Sequence, residues 1–383
     1  MPDQRHAGSL VKLFLCGDVM TGRGVDQVLP HPLDPRLHES WAQSALMYVD
    51  LAERANGPIP RPVEFPYIWG DALEELTREG PDARIINLET SITRSEDYAP
   101  DKGINYRMHP DNVPCIGAAR IDCCVLANNH VLDYGPSGLL ETLGTLARAG
   151  LTTAGAGRNL AQARAPAVIE VPNKGSRVVV FGFGTESSGI PRSWAAAQDR
   201  PGVNVLEDLS ARTVAQIEGL IGSVKRPRDV VVASIHWGDN WGFTVPESHV
   251  RFAHGLIRAG VDLVHGHSSH HIRPIEVFEG KLILYGCGDF LDDYEGIAGS
   301  EEFRDSLTLM YFPTVDPSTG RLLDLRMTPL CIRHFRANRA SREDATWLTD
   351  TLDRESRKFD VRVDLAPDYR HLDLRPRARP QTR

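Results

Sequence analysis

Short, uninterrupted apolar runs alternate with helix-like segments along much of this chain, and this alternation constrains the fold most. One example is the run Asp229–Ile235, which is followed by the helical spacing of Glu247–Ala259 and then by the run Val261–Val264. Apolar runs of this kind are typical of strands that are buried on both faces, as in parallel sheets covered by helices. The chain has 383 residues, enough to bury a large core. We therefore predict a layered α/β fold with a largely buried sheet.

Several of these runs end in side chains of the kinds that bind metal ions. The densest example is Val264–His271, in which four histidines fall within seven residues. Four other runs end in the same chemistry, at Asp18, at Asn87–Thr90, at Asn129–His130 and at His236. The ligand crevice of an open α/β sheet lies beyond the carboxyl ends of its strands, so we expect these ends to meet. Their donors suit one or two divalent ions, with Mn²⁺ favoured and Zn²⁺, Fe²⁺, Ca²⁺ or Mg²⁺ also compatible.

The composition argues against several classes of protein. The net charge is −8 and no block of lysine and arginine precedes the C-terminal tail, so no nucleic-acid partner is expected. The six cysteines show no Cys-x-x-Cys spacing and lie mostly in apolar runs, which favours reduced thiols. We see no signal peptide and no apolar segment near the ~20 residues of a membrane span. We therefore expect a cytoplasmic protein without a membrane anchor.

Two stretches depart from the alternating pattern. Residues 26–70 carry seven prolines, and we interpret them as an excursion over the face of the site that forms a lid or a substrate wall. Near the other end we predict a helix at Arg342–Phe359, followed after about Asp364 by a weakly ordered tail. We divide the chain into a main domain, residues 1–330, and a C-terminal helix and tail, residues 331–383, packed on or trailing the core.

A series of short motifs, in order along the chain, resembles the CapA (poly-γ-glutamate capsule) family over roughly residues 11–312. The motifs are Gly17–Arg23, Asn87–Glu89, Ala127–His130, Ile235–Gly238, Gly266–His270 and Lys281–Phe290. That family is similar to the calcineurin-like metallophosphoesterases. The resemblance therefore implies a four-layer α/β/β/α sandwich with a two-metal centre at the strand ends.

The resemblance also implies a set of metal ligands, with departures from the usual pattern. The candidate ligands are Asp18, Glu89, Asn129, His236, His265 and His267. Glu89 stands where metallophosphoesterases usually carry a Gly-Asp motif, and Met20 replaces the usual histidine of the first motif. Because Ser268 and Ser269 interrupt the usual pair of histidines, either His265 with His267 or His267 with His270 supplies the last two ligands.

Residues of the motifs and near them are candidates for acid–base chemistry and for substrate binding. The candidate acid–base residues are His130, His270 and Glu89, and the candidate substrate-binding residues are Arg23, Arg107, Trp237 and His271. Arg107 either binds a substrate carboxylate in a bidentate manner or pairs with a structural acid. Trp237 and Trp241 either form an aromatic wall of the pocket or pack in the core.

Three functions remain open from the sequence. Soluble relatives of the family act on peptides, and one of them epimerises the C-terminal residue of a lasso-peptide precursor. The first alternative is therefore a metal-dependent peptide epimerase, in which two side chains remove and return an α-proton on a peptide such as a ribosomally made, lasso-type precursor. The second is a phosphoester hydrolase, which is the usual chemistry of the fold. The third is a non-catalytic protein that binds polyglutamate or a peptide.

Overall fold

The protein is described by a computed structural model that covers residues 10–100 and 102–376. Within these residues the strands are β1 (Val11–Val19), β2 (Ala83–Leu88), β3 (Ser91–Ile92), β4 (Arg107–Met108), β5 (Cys123–Val125), β6 (Thr152–Ala154), β7 (Ala156–Gly157), β8 (Ala167–Val171), β9 (Ser176–Gly184), β10 (Gly202–Val203), β11 (Asp229–His236), β12 (Leu263–His267), β13 (Ile275–Phe278), β14 (Lys281–Leu284), β15 (Asp289–Leu291), β16 (Leu307–Asp316), β17 (Arg321–Ile332), β18 (Ala337–Arg339), β19 (Val361–Leu365) and β20 (Leu372–Pro376).

The helices connect these strands and cover the sheets. They are α1 (Arg23–Val28), α2 (Leu46–Asn56), α3 (Ala72–Glu79), α4 (Pro114–Ala118), α5 (Gly135–Arg148), α6 (Leu160–Arg164), α7 (Ala211–Val224), α8 (Glu247–Arg258) and α9 (Arg342–Ser356). Within the described residues, no helix has the length and apolar character needed to cross a membrane.

Two large sheets form the centre of the molecule. The first has the order β19-β20-β17-β16-β1-β2-β5-β6, with β15 beside β1 and β18 beside β17. Its strands β1, β2, β5 and β6 are parallel, whereas β16, β17, β20 and β19 are antiparallel to their neighbours. The second sheet has the order β13-β14-β12-β11-β9-β8, in which the four central strands are parallel. The parallel part of each sheet therefore ends in a row of carboxyl ends.

The central strands β11 and β12 of the second sheet bury both faces, as their unbroken apolar runs predict. Val230 and Val232 pack in the same cluster as the first sheet, whereas Val231 and Ala233 pack against α7 and α8. On the far side of the first sheet, α3 and α5 bury Leu76 and Leu139. The order of layers is helices, first sheet, second sheet and helices, so the predicted four-layer α/β/β/α sandwich is confirmed.

The C-terminal segment belongs to the first sheet. Strand β17 runs through the boundary that we placed at residue 330, and β18, β19 and β20 pair with the same sheet. The weakly ordered tail predicted after Asp364 is wrong for residues 366–376, because β20 pairs with both β17 and β19 and Leu372 is fully buried. The alternating Leu372 and Leu374 of β20 are a weak strand signal, because arginines and prolines surround them. Residues 377–383 lie outside the described part of the chain.

Candidate metal centre

The carboxyl ends of the two sheets bring one carboxylate and two imidazoles together. One ligand atom each from Asp18 in β1, His236 in β11 and His267 in β12 lie within 4.8 Å of one another, and all three side chains are buried. The Nδ1 atoms of His236 and His267 are 2.8 Å apart, and His267 Nδ1 lies 3.8 Å from Asp18 Oδ1. The two histidines are direct neighbours in the parallel β11–β12 pair. The register of these strands therefore sets the imidazoles side by side.

Neighbouring groups hold these side chains in place. Asn87 Nδ2 donates to Asp18 Oδ1 over 2.7 Å, and the Ser268 amide donates to Asp18 Oδ2 over 3.1 Å. Ser268 adopts φ +99°, an uncommon backbone angle for a residue with a side chain, and this turn aims its N–H at the carboxylate. Ser234 Oγ lies 2.9 Å from Nε2 of His267, so that Nδ1 of this histidine faces the centre. Such fixed imidazoles are characteristic of metal ligands.

A second group of donors adjoins the first through His236. Its Nε2 lies 2.9 Å from Asn129 Oδ1 and 3.7 Å from Glu89 Oε1, while its Nδ1 faces His267. Asn87 Nδ2 also donates to Glu89 Oε2 over 3.2 Å, so one amide contacts both buried carboxylates. Five of the six candidate ligands from the sequence are thus joined in one cluster, namely Asp18, Glu89, Asn129, His236 and His267.

The electrostatics of the cluster fit a bound cation. Burial, followed by the charge of Asp289, raises the pKa of Asp18 to about 7, and burial also raises the pKa of Glu89. Burial lowers the pKa of both His236 and His267, which keeps their imidazoles neutral and leaves nitrogen lone pairs available. Crowded carboxylates beside neutral imidazoles form a donor set of the kind that binds divalent ions, since a cation offsets the cost of the buried charges.

His130 forms a buried hydrogen-bonded dyad with a carboxylate that the sequence analysis missed. Its Nδ1 lies 2.6 Å from Asp133 Oδ2 and 2.8 Å from Lys102 Nζ, and its Nε2 lies 3.8 Å from Glu89 Oε1. Burial lowers the pKa of His130 to about 4. The spacing His-x-x-Asp was a usable signal for Asp133. Lys102 carries no such signal, because it reaches the dyad from a distant irregular loop.

The remaining histidines of the His265–His271 stretch have three different environments. His265 lies with Nδ1 3.0 Å from Ser234 Oγ and Nε2 2.8 Å from the Cys16 carbonyl oxygen, so both of its nitrogens are bound within the core. His270 Nδ1 lies 2.9 Å from Asp289 Oδ1. Burial lowers the pKa of His270, but the Asp289 carboxylate outweighs this effect and the net pKa is raised. His271 is buried and stacks against Phe303 at 4.5 Å.

The structure places the candidate substrate-binding residues Arg23, Arg107 and Trp237 in internal contacts. Arg23 is buried between Asp293 and Glu39, and Arg107 binds the Ser95 carbonyl and Glu96. The structure therefore favours the second alternative for Arg107, pairing with an acid. Trp237 is fully buried and donates to the Tyr285 carbonyl over 3.0 Å.

A pocket of about 380 Å³ opens beside His270, and we call it the apolar pocket. Its lining residues are Arg23, Trp41, Tyr48, Ile104, Asn240, Trp241, His270, Tyr294, Ile297, Ala298, Gly299, Ser300 and Asp305. Trp41 and Tyr48 come from the proline-rich excursion of residues 26–70, which therefore supplies a wall of the pocket. Trp241 forms another wall, whereas Trp237 packs in the core. Trp41 was missed, because a single tryptophan in an irregular stretch carries no spacing signal.

The chain is similar to proteins of a known family and to individual proteins from other bacteria. Residues 12–294 match the family described as "Bacterial capsule synthesis protein PGA_cap". The chain is 50% identical over 360 residues, 94% of each chain, to a protein named "Probable polyglutamine synthesis accessory protein" from Mycobacterium tuberculosis. It is 29% identical over 328 residues to the PGA biosynthesis protein CapA of Bacillus subtilis, covering 85% of this chain and 73% of that protein.

Solved structures are also similar, and one of them is a phosphatase. A phosphatase from Mycoplasma pneumoniae aligns over 86% of this chain and 95% of its own with 10% identity and a TM-score of 0.44. The family match spans most of the chain, and the relative from Mycobacterium tuberculosis spans nearly all of it. The CapA resemblance of the sequence motifs is confirmed, and the chain belongs to the PGA_cap family of bacterial capsule synthesis proteins.

Proposed function

We propose that this protein is a metal-dependent enzyme that epimerises an α-carbon of a peptide substrate by acid–base proton transfer. One observation carries the proposal: two imidazole–carboxylate dyads adjoin the same cluster of metal-type donors, His130–Asp133 through Glu89 and His270–Asp289 through the pairing of Asp289 with Asp18. Epimerisation needs one group that removes the α-proton and a second that returns it from the opposite face. Relatives named for polyglutamine and PGA synthesis agree with a substrate made of linked amino acids.

The hydrogen bonds define what each dyad can do. Nδ1–H of His130 donates to Asp133, with which Lys102 also pairs, so Nε2 is the atom left to exchange a proton. Asp289 holds Nδ1 of His270 in the same way, and His270 lines the apolar pocket. A divalent ion held by Asp18, His236 and His267, with Asn129 and Glu89 adjoining, would polarise a substrate carbonyl or carboxylate and make its α-proton more acidic. We favour Mn²⁺, and one or two ions are compatible with these donors.

His265 has a structural role in this proposal. Its two nitrogens are bound to Ser234 and to the Cys16 carbonyl, so it leaves the ligand role to its neighbours. His271 supports the wall of the apolar pocket from behind. Glu89 adjoins both His236 and His130 and serves as a ligand or as a proton acceptor.

Phosphoester hydrolysis is the second candidate. The oxygen and imidazole donors at the centre suit it, and His130 could protonate a leaving group. Phosphoryl transfer also needs cationic partners for the phosphoryl oxygens. Arg23 and Lys102, two cations near the centre, already bind protein carboxylates, Arg23 those of Asp293 and Glu39 and Lys102 that of Asp133. These pairings favour the peptide reaction.

Solvent deuterium uptake tests the proposal. The protein is loaded with Mn²⁺ and incubated in D₂O with a linear peptide encoded near its own gene, and mass spectrometry locates the label. We expect a gain of one dalton at a single α-carbon, absent in Asp18→Asn and present in the exposed control Asp199→Asn. Phosphodiester cleavage without α-label would establish the second candidate. A protein that shows neither reaction would be a binding protein.

A further inference from the structure

We propose that the apolar pocket binds the uncharged apolar side chain of the substrate residue that reacts. The inference rests on the proposed function and adds the class of substrate to it. A glutamate polymer carries a carboxylate on every residue, whereas the residue held in this pocket would have an uncharged, apolar side chain. The observations that support this are the clustering of exposed apolar side chains, the rigidity of the walls and the charges of the lining.

Exposed apolar side chains are concentrated at this pocket. Eight large apolar side chains are exposed in the part of the chain that the structure describes, and half of them line this one site. The four are Trp41, Ile104, Trp241 and Ile297, with exposed fractions of 48%, 36%, 39% and 39%. Scattered exposed apolar residues are ordinary, whereas a concave cluster of them marks a binding surface.

The aromatic walls are fixed by stacking. Trp241 lies parallel to His271, with ring centres 6.1 Å apart and an interplanar angle of 6°, and Phe303 stacks on the same histidine. On the other side, Trp41 meets the Tyr48 ring edge-on at 5.2 Å, and the Tyr48 hydroxyl accepts from Arg23 over 2.7 Å. Rigid walls lose little conformational entropy when a ligand binds, which favours recognition by apolar contact.

The charges of the lining disfavour an acidic side chain. The one arginine of the lining is already bound by protein carboxylates, since Arg23 contacts Asp293 and Glu39, and the His270 imidazole is already bound by Asp289. Asp305 adds a further carboxylate to the lining. A glutamate side chain placed here would lose water without gaining an unpaired cation among the lining residues, which is costly. A substrate carboxylate is better accommodated at the metal-type donors, with the apolar side chain beside it.

The volume is consistent with this occupant. About 380 Å³ falls within the range of sites that bind small molecules, and it accommodates one aromatic or aliphatic side chain with part of its backbone. His270 lies in the same lining, so the bound residue is held beside one of the two proposed proton carriers. The pocket therefore selects the residue that is presented to the acid–base groups.

Isothermal titration calorimetry on the full-length protein with Mn²⁺ tests this inference without requiring turnover. The probes are acetyl-Gly-Gly-Phe, acetyl-Gly-Gly-Glu and tri-γ-glutamate. We expect the phenylalanine peptide to bind about 10-fold more tightly than either acidic probe, and Trp241→Ala to remove about that factor. Trp241→Phe should restore most of it. Leu323→Ala, at an apolar residue that is 57% exposed outside the pocket, serves as the matched control and should bind as the wild type does.

The possible outcomes distinguish failure of the pocket assignment from failure of the proposed epimerisation. Equal or tighter binding of an acidic probe, unchanged binding in Trp241→Ala, or no binding of any probe would overturn the inference. Deuterium uptake is measured on the same samples. Preferential binding of the phenylalanine peptide without α-label would reject epimerisation while the assignment of the apolar pocket stands.

Discussion

The two sheets meet at the candidate metal centre with different chemistry and with different kinds of support. The first sheet contributes oxygen donors, and the Asn87 amide contacts both Asp18 and Glu89. The second sheet contributes the imidazoles of His236 and His267, which are paired neighbours on adjacent strands, and Ser234 holds that of His267 from behind. Burial has opposite consequences on the two sides, since it raises the pKa of the carboxyl groups and lowers that of the imidazoles. Neither sheet alone offers a complete site, and a cation would link the two.

Within the second sheet, His265 and His267 give the sharpest test of this comparison, because they are two residues apart on one strand. His267→Ala should lose the metal and with it all measurable activity, since His267 belongs to the converging group. His265→Ala should keep the metal and lose about 1–3 kcal/mol of stability, because the Cys16 carbonyl loses its partner. Elemental analysis after dialysis and denaturant unfolding measure the two effects. Equal metal loss in both variants would break the distinction.

On the side of the first sheet, His130→Ala separates proton transfer from metal binding. We expect this variant to retain its metal and to lose about 10²- to 10⁴-fold in kcat, the usual contribution of a general acid or base. Asp133→Asn should lower kcat in the same direction, since Asp133 holds Nδ1 of His130. His371→Ala, in the C-terminal hairpin, is the control for loss of a histidine. Wild-type turnover in His130→Ala would remove this residue from the mechanism.

The first sheet also extends far beyond the site, and Leu372 tests how much that extension contributes. Leu372→Ala should lower the free energy of unfolding by about 2–5 kcal/mol, because the side chain is fully buried in β20. Arg375→Ala, at an exposed ion pair on the same strand, should cost no more than about 1 kcal/mol. Denaturant titration compares the two. Equal stability of Leu372→Ala and the wild type would contradict the placement of β20 in the sheet.

The smallest expected effect is a pH dependence of stability that arises from His249, in helix α8 on the outer face of the second sheet. This residue stacks on Trp237, and burial followed by the charge of Arg273 lowers its pKa from 6.5 to about 4. Between these values the unfolded chain binds a proton that the folded chain does not, so stability falls as the pH is lowered from about 6.5 to about 4. His249→Phe should remove up to about 3 kcal/mol of this dependence. Urea titrations of both proteins from pH 7 to pH 4 measure the difference, and parallel curves would contradict it.

Much of the fold was predictable because it depends on local pattern. Unbroken apolar runs predicted the buried parallel strands, and β11 coincides with the run that begins at Asp229. The helix predicted from Arg342 is confirmed as α9. Strand β20 was missed, because two leucines among arginines and prolines form a weak local signal. The strand is stabilised by pairing with β17, which is distant in the sequence, and with β19, which lies on the other side of a turn.

The sequence by itself determined the family, the layered α/β fold and the kinds of donor at the strand ends, since motifs and periodicity are properties of neighbouring residues. The tertiary structure decided the individual environments. It directed His267 to the centre and bound both nitrogens of His265 in the core, although the two histidines share a strand face. It also brought Lys102 to His130 and Trp41 to the apolar pocket. These outcomes depend on which distant atoms lie within hydrogen-bonding or van der Waals distance, and no local pattern encodes that.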